Sequence, residues 1–353
     1  MSTDSGRGPG DRLRIAQVAP PVEAVPPVAY GGTERIVDEL VRELDRRGHE
    51  VTTFASGDSS VPGRHVTTVP RALRAIGLGD DPGASFRLTV EQVLEQQDRF
   101  DLIHAHLDRW NLELADRARI PVVSTFHRRL DLPWARGAFH RGRRGLVAIS
   151  GDQARVHPTA NWTVIHHGLT FHPPPLAPRP GEDFCFVGRM APEKGVRDAI
   201  EIARLAGRRL MLAAKTPSLA TEIEYFDVVI RPALGRADVT LLGEIAEGDR
   251  DALVAGSRAS LVPSTGPEPF GLVVIEALAC GTPVLARRAG AIPEILRDGI
   301  DGFLGDDVAQ LAFFDDRLDG LDRAAIQAAA LERFDVGRMV DSYEALYARM
   351  LGA

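Results

Sequence analysis

The sequence predicts an α/β protein built from two doubly wound, Rossmann-like domains. Three observations predict it: two successive series of short apolar runs, helix-length segments between those runs, and a Pro-rich stretch over 172–180 that separates the series. A chain of 353 residues, 44% of them hydrophobic and 26% charged, is long enough for two globular cores. We therefore expect two parallel sheets whose carboxyl edges face each other across a ligand-binding cleft.

The first series follows a Gly- and Ser-rich tail over 1–12, which we expect to be loosely held. Its predicted strands are short apolar runs at 13–19, 51–55, 101–104, 122–125, 146–149 and 163–166. The segment between the first two strands carries apolar residues at helical spacing, Ile36, Val37, Leu40, Val41 and Leu44. Gly48 then ends this helix, so the series begins with a parallel βαβ unit.

The second series has the same alternation. Its predicted strands lie at 184–187, 210–213, 239–242, 260–262 and 283–286, with helices at 196–206, 249–255 and 272–279. We expect an N-terminal domain over 1–172 and a C-terminal domain over 173–334. The last segment, 335–353, has an apolar helical face and is expected to pack back on the N-terminal domain.

Composition excludes several classes of protein. A net charge of −7 argues against nucleic acid as the main partner. The longest apolar stretches, such as 272–280, fall well short of the roughly 18 residues that a membrane span needs, so we expect a cytoplasmic protein without a transmembrane segment. The two cysteines, Cys185 and Cys280, have neither disulfide nor zinc spacing.

A loop after the strand at 184–187 combines two cations. Of 42 basic residues, only Lys194 and Lys215 are lysines, and Lys194 lies in Gly-Arg-Met-Ala-Pro-Glu-Lys-Gly over 188–195. Arg189 and Lys194 together could clamp a diphosphate, one as a planar fork and one as a point charge. The alternative is a surface loop with Glu193 and Lys194 as a local ion pair.

Two carboxylates flank a glycine turn in the second half of the chain. The segment Glu-Pro-Phe-Gly-Leu-Val-Val-Ile-Glu runs from Glu268 to Glu276, and a helix starts near Leu272. The first N–H groups of a helix can hold a phosphate oxygen, and the carboxylates can accept hydrogen bonds from sugar and ribose hydroxyls. The alternative is a solvated Glu276 and a Glu268 that only favours the helix start.

This ordered set of motifs, together with Gly-Gly-Thr-Glu-Arg over 31–35 and Gly-Thr-Pro-Val over 281–284, resembles the retaining GT-B glycosyltransferases of family 4 (glycosyl transferases group 1). The resemblance implies that the N-terminal domain binds the acceptor and that the C-terminal domain binds the nucleotide sugar. It also implies that Glu268 contacts the transferred sugar and that Glu276 binds the ribose. It also implies a catalytic set of Glu268, His127, Arg189 and Lys194. Further implied donor contacts are Gly31, Gly32, Glu244, Phe270, Gly271 and Leu272.

The implied reaction moves a sugar from a nucleotide-diphosphate sugar, UDP-sugar first, to a hydroxyl of a soluble small molecule or glycan, with retained configuration. No cofactor or metal is expected, because His104 and His106 lack a third ligand at metal spacing and the acids at 306–307 and 315–316 are expected at the surface. Four alternatives stay open: a nucleotide-sugar epimerase, a GDP-mannose-dependent mannosyltransferase, a nicotinamide oxidoreductase that lacks its glycine fingerprint, and a silent binding protein. Ligand contacts of Lys215, Trp110 and Trp134 also stay open.

Overall fold

The computed structural model describes residues 12–28, 31–77, 83–176, 181–215, 217 and 220–352. The chain forms two compact units. The N-terminal domain extends to Thr170 and also includes the chain from Asp335 onward, and the C-terminal domain covers Phe171–Phe334. Residues 1–11 of the predicted tail and part of the Pro-rich stretch lie outside the described residues.

The described part of the N-terminal domain has a seven-stranded parallel sheet in the order β3-β2-β1-β4-β5-β6-β7. The strands are β1 (Arg14–Val18), β2 (Glu50–Ala55), β3 (Arg64–Thr67), β4 (Leu102–Ala105), β5 (Val122–Phe126), β6 (Leu146–Ala148) and β7 (Trp162–Val164). The helices are α1 (Gly32–Arg46), α2 (Gly83–Gln96), α3 (Trp110–Arg117) and α4 (Gly151–Arg155), with 3-10 turns at Leu73–Ile76, Gln97–Arg99 and Pro133–Ala135. The strand order reverses between β1 and β4, as in a Rossmann fold.

The described part of the C-terminal domain has a six-stranded parallel sheet in the order β10-β9-β8-β11-β12-β13. The strands are β8 (Phe184–Arg189), β9 (Leu210–Lys215), β10 (Val239–Leu241), β11 (Ala259–Val262), β12 (Val284–Arg287) and β13 (Gly302–Gly305). The helices are α5 (Val196–Ala206), α6 (Ala220–Tyr225), α7 (Arg231–Leu234), α8 (Glu247–Gly256), α9 (Leu272–Ala279), α10 (Ile292–Ile295), α11 (Val308–Phe313) and α12 (Arg323–Arg333). A π-helical turn, Phe226–Ile230, joins α6 to α7, and 3-10 turns lie at Pro192–Lys194 and Phe314–Gly320.

Two strands escape prediction from the sequence, for different reasons. The edge strand β3, Arg-His-Val-Thr, is largely exposed and has no apolar run. In β13 only Phe303 and Leu304 stand between two glycines, although the strand is buried. Gly302 has φ of +150°, and a Cβ there would lie 2.0 Å from the carbonyl oxygen of Val284. This strand therefore requires glycine at position 302, although glycine in a sequence usually indicates a turn.

The last helix, α13 (Val336–Leu351), belongs to the N-terminal domain. The side chain of Asp335 caps its start by accepting a hydrogen bond from the N–H of Gly337 at 2.8 Å. Its apolar face is buried and consists of Met339, Val340, Tyr343, Leu346 and Tyr347. Arg47, which follows α1, bonds Asp341 and Glu344 of this helix at 2.7 and 2.5 Å. The end of the chain thus completes the N-terminal core.

The expectation that all four acids at 306–307 and 315–316 lie at the surface is wrong for Asp315. This carboxylate is buried and accepts hydrogen bonds from Arg258 at 2.5 Å and Arg208 at 2.9 Å. Burial of a carboxylate is tolerated because two guanidinium groups compensate its charge. None of the helices within the described ranges is both long and apolar enough to cross a membrane.

Candidate functional site

The two cation- and carboxylate-bearing loops of the C-terminal domain leave neighbouring strands at the same edge of the sheet. The strand order reverses between β8 and β11, and such a reversal opens a crevice at the carboxyl ends of the strands. The two loops are joined directly, since the N–H of Thr265 donates to the carbonyl of Glu193 at 3.0 Å. At Gly195, with φ of +73°, a Cβ would lie 2.1 Å from the carbonyl oxygen of Pro263. Only glycine allows this close approach.

Lys194 and Glu268 form an ion pair across these loops. The Nζ of Lys194 donates to Oε2 of Glu268 at 2.7 Å, and the Oγ of Ser264 lies 3.4 Å from the same oxygen. The side chains are 21% and 12% exposed, so the pair is largely shielded but still reachable by a ligand. An ammonium has three N–H donors and can therefore bind more than one acceptor at once.

Arg189 is the last residue of β8 and lies between two carboxylates. Its Nη1 donates to Oε1 of Glu222 at 2.8 Å, and its Nη2 is paired with Glu193. Glu193 is thus a partner of Arg189 in the structure. The sequence did not indicate Glu222, which lies on α6 in a segment without a recognisable motif. The guanidinium is 27% exposed, and its five N–H donors suit it to binding several acceptors at once.

The start of α9 lies beside Glu268. Gly271 precedes the helix with φ of +102°, and no side chain of the described residues caps the helix start. Phe270 is buried and packs edge-on against Phe334, with 6.4 Å between the ring centroids. This contact anchors the turn before Leu272. The backbone of Glu268 is held in turn, because its carbonyl accepts from the N–H of Ala291 at 2.8 Å. The first N–H groups of α9 therefore have a fixed orientation and partial positive charge.

Glu276 lies in the second turn of α9 and is paired with Arg250 of α8. The Nη1 of Arg250 lies 3.1 Å from Oε1 of Glu276, and both side chains are largely buried. Burial would lower the pKa of Arg250, but the carboxylates of Glu276, Asp251 and Glu247 together raise its pKa above the ordinary value. The sequence did not single out Arg250, because arginine is the common cation of this chain. Glu276 is therefore not a solvated surface residue.

His127 follows β5 in the N-terminal domain. The backbone N–H of His127 donates to Oδ1 of Asp108 at 3.1 Å. Asp108, which has φ of +50°, also forms an ion pair with Arg128 at 3.2 Å. Burial, with a smaller contribution from Arg128, lowers the pKa of His127 to about 3. The imidazole is therefore neutral at physiological pH.

The glycines of the first loop have roles within their own domain. Gly31 precedes α1 in extended conformation, and a Cβ there would lie 2.6 Å from the Cβ of Pro27. Gly32 is the first residue of α1. The neighbouring Glu34 is buried, and burial raises the pKa of its carboxyl to about 7. Sequence reading passed over Glu34, since an acid in the first helical turn is common.

The remaining candidates lie apart from these contacts. Glu244 is exposed in the loop after β10. Lys215 ends β9, and its side chain is outside the described part of the chain. Trp110 stacks on Phe86 with 6.1 Å between the ring centroids, and Trp134 stacks on Phe126 with 6.5 Å between the centroids. Within the described ranges, no group of three His, Cys, Asp or Glu side chains is arranged to hold a metal ion.

Two family models match this chain. The model described as Glycosyl transferases group 1 matches residues 181–314, and the model described as Glycosyltransferase Family 4 matches residues 30–172, so that together they cover well over half of the sequence. The chain belongs to glycosyltransferase family 4. This family 4 protein is accordingly a glycosyltransferase, which favours glycosyl transfer over the epimerase and oxidoreductase alternatives.

Similar proteins agree with this assignment. The chain is 28% identical over 334 residues to the phosphatidyl-myo-inositol mannosyltransferase of Mycobacterium leprae, a match that covers 83% of each protein. The structure of AviGT4, a glycosyltransferase involved in avilamycin A biosynthesis, is 25% identical with a TM-score of 0.68 and covers 97% of this chain and 98% of that one. Anabaena HepE in complex with UDP-glucose is 21% identical with a TM-score of 0.71, over 95% and 99% of the two chains. The predicted GT-B type of fold, with two Rossmann-like domains, is confirmed.

Proposed function

We propose that the protein transfers a hexosyl residue from a nucleotide-diphosphate sugar, with UDP as the first choice of nucleotide, to a hydroxyl of a soluble small molecule or glycan, and that the anomeric configuration is retained. The observation that carries the proposal is the Lys194–Glu268 pair at the strand-order reversal of the C-terminal domain. It lies beside the start of α9, which none of the described side chains caps. Such an edge offers a cation, oriented N–H groups and a hydroxyl acceptor within one small region. The UDP-glucose bound by HepE makes uridine the first base to test.

The diphosphate is the part of the donor that the cations bind. Lys194 and Arg189 neutralise its charge, and the backbone N–H groups of Phe270, Gly271 and Leu272 add oriented dipoles. Both cations are paired with carboxylates in the structure, so diphosphate binding redistributes these bonds. Charge that develops on the departing diphosphate is stabilised by the same groups, which is why they belong to the catalytic set.

The two glutamates bind hydroxyls on the two sides of the diphosphate. Glu268 accepts a hydrogen bond from the transferred sugar, and its carboxylate is oriented by Lys194 and Ser264. Glu276 accepts from the ribose hydroxyls while Arg250 holds one of its oxygens. The family resemblance supports this division of roles, and in the same scheme we assign Glu244 to the nucleotide base.

Transfer with retention needs no covalent bond to the enzyme. The acceptor oxygen bonds the anomeric carbon on the face from which the diphosphate departs, the carbon–oxygen bond to the diphosphate breaks, and the acceptor proton passes to a diphosphate oxygen. In this scheme His127 contacts a sugar hydroxyl, and Gly31 and Gly32 let the backbone come close to the donor. No metal is required, because two cations and a helix start carry out the neutralisation.

The choice of donor can be tested by thermal stabilisation. We expect UDP and UDP-sugars to raise the melting temperature in excess chelator, because a ligand at 100 times its Kd adds about 2.7 kcal/mol to the free energy of unfolding. Adenine and guanine nucleotides at equal concentration are the controls. Absence of a shift with every nucleotide would contradict nucleotide-sugar binding, and a shift lost with chelator would contradict metal independence.

A mannosyl donor is the second candidate. It is favoured by the name of the M. leprae relative, a phosphatidyl-myo-inositol mannosyltransferase. GDP and GDP-mannose would then give the larger stabilisation in the same panel. An acceptor-dependent release of nucleotide, with analysis of the anomeric configuration of the product, separates either transferase from an epimerase.

We expect Arg250→Leu to weaken UDP binding at least about tenfold while the fold is kept. Arg250 lies 3.1 Å from the carboxylate of Glu276, and the substitution removes this cation. A hydrogen bond to a charged group contributes about 1.5 to 3 kcal/mol. Calorimetric titration with UDP measures the effect. Arg204→Leu removes a comparable but exposed pair with Glu201 and should leave affinity unchanged. Equal affinity of both variants would contradict a role of Glu276 in nucleotide binding.

A further inference from the structure

A continuous chain of hydrogen bonds runs through the core of the N-terminal domain and ends at His127. The Nε2 of His127 lies 2.8 Å from Nδ1 of His106, and Nε2 of His106 lies 3.0 Å from Oε1 of Gln17. We call these three residues, with His104 and Tyr347, the histidine chain. Its members come from β1, β4 and α13 and from the segments that follow β4 and β5.

The far end of the histidine chain lies at the amide nitrogen of Gln17, which is also 3.3 Å from Nδ1 of His104. The Nε2 of Gln17 donates to the hydroxyl of Tyr347 at 3.5 Å, and this hydroxyl lies 2.7 Å from Nδ1 of His104. The other nitrogen of His104 lies 2.8 Å from Oγ1 of Thr125. With the amide nitrogen of Gln17 directed at Tyr347, its carbonyl oxygen faces His106 and can only accept a hydrogen bond.

The imidazole rings of His104, His106 and His127 are all neutral. Burial lowers the pKa of His104 and His106 far below the ordinary value, and neighbouring histidines add to the effect. A neutral imidazole has one N–H and one lone pair, so the role of one nitrogen determines that of the other. His106 must donate from Nε2 to Gln17 and therefore accepts at Nδ1. His127 must then donate from Nε2, which leaves the lone pair on its Nδ1.

His127 is the member of the histidine chain that a ligand can reach. His104, His106 and Tyr347 are buried, whereas the His127 side chain is partly exposed. Its Nε2 is occupied by His106 and its backbone N–H by Asp108. Within the part of the chain that the structure describes, no hydrogen bond to Nδ1 of His127 is found.

We propose that Gln17 and His106 are positioning residues that hold His127 as the Nε2–H tautomer, so that its Nδ1 accepts a hydrogen bond from a ligand hydroxyl and cannot donate one. The identity of that hydroxyl, on a sugar donor or its acceptor, rests on the proposed function. The tautomer itself does not, because it follows from contacts within one domain. The consequence for specificity is that a ligand group facing Nδ1 must be a donor, since an ether or a fluorine would leave two acceptors in contact.

The test is nitrogen NMR of the full chain labelled with ¹⁵N-histidine, without nucleotide. His127→Gln removes one pair of ring signals and thereby assigns them. We expect the pattern of an unprotonated Nδ1 and a protonated Nε2 at neutral pH. A protonated Nδ1, or rapid exchange between the two tautomers, would overturn the proposal. Because nucleotide is not present, failure of UDP binding would contradict the proposed function and leave this test unaffected.

Two variants of His106 separate positioning from packing. His106→Asn puts a carbonyl oxygen near the former Nδ1 and should preserve the His127 tautomer. His106→Leu removes the acceptor and should give a mixture of His127 tautomers, with kcat lowered about fivefold, since a lost neutral hydrogen bond corresponds to about 1 kcal/mol. Melting temperatures check that both variants fold. An unchanged His127 pattern in folded His106→Leu would also overturn the proposal.

Discussion

Lys194→Ala is expected to abolish sugar transfer and to weaken UDP binding at least about tenfold. A charged hydrogen bond to the diphosphate contributes about 1.5 to 3 kcal/mol to binding, and loss of a group that stabilises the leaving charge costs about 100- to 1000-fold in rate. The ammonium also lies 2.7 Å from Glu268, so its removal leaves a largely buried carboxylate that repels the diphosphate. Calorimetric titration with UDP and a transfer assay measure the two effects.

Three variants control for this interpretation. Lys194→Arg retains the charge but not the compact ammonium and should recover binding more than transfer. Arg204→Ala breaks an exposed ion pair with Glu201 and should change neither quantity, because such pairs contribute about 0 to 1 kcal/mol. Lys194→Ala combined with Glu268→Gln removes the unpaired carboxylate and should restore part of the UDP affinity. Wild-type affinity in folded Lys194→Ala would refute the diphosphate contact.

Glu268→Gln is expected to lower kcat about 100-fold with UDP affinity unchanged or slightly increased. The amide keeps the shape of the side chain but is a weaker acceptor for the sugar hydroxyl, and misplacement of a reacting group costs rates of this order. UDP itself lacks the sugar, and Lys194 no longer shares its charge with a carboxylate 2.7 Å away. Steady-state kinetics and UDP titration measure the separation of turnover from nucleotide binding.

Glu276→Gln is the matched control for this experiment. The substitution is the same, glutamate to glutamine, but Glu276 lies within α9 whereas Glu268 precedes that helix. The carboxylate of Glu276 faces Arg250 and not Lys194. We expect the opposite result, with weaker UDP affinity and nearly unchanged turnover of the bound donor. If both glutamine variants keep wild-type kinetics, the assignment of the two carboxylates is wrong.

Local pattern was sufficient for most of the fold. The helices α5 and α9 have the predicted bounds, 196–206 and 272–279, because each begins after a glycine with positive φ and carries apolar residues at helical spacing. Prediction failed at β3, where the exposed edge has no apolar run, and at β13, where Gly302 is needed for contact with a neighbouring strand. In both cases the strand is defined by its partner rather than by its own composition.

The candidate site was predictable as a set of residues but not as a set of contacts. Lys194 and Glu268 were both identified from motifs, yet their ion pair joins positions 74 residues apart. Arg250 and Glu222 were missed because a charged residue on a helix surface has no local sign of its partner. His106 was weighed as a metal ligand, and only its contacts with Gln17 and His127 indicate a positioning role.

The sequence by itself determined the alternation of strands and helices, the glycine turns before α5 and α9, and the chemical groups available at the carboxyl edges of the sheets. These properties depend on side-chain periodicity and backbone stereochemistry, which act over a few residues. Only the tertiary structure decided which carboxylate faces which cation, and that the hydroxyl of Tyr347 on α13 lies 2.7 Å from Nδ1 of His104. Such contacts join segments far apart in the chain, and their energies arise only when burial brings the charges and rings together.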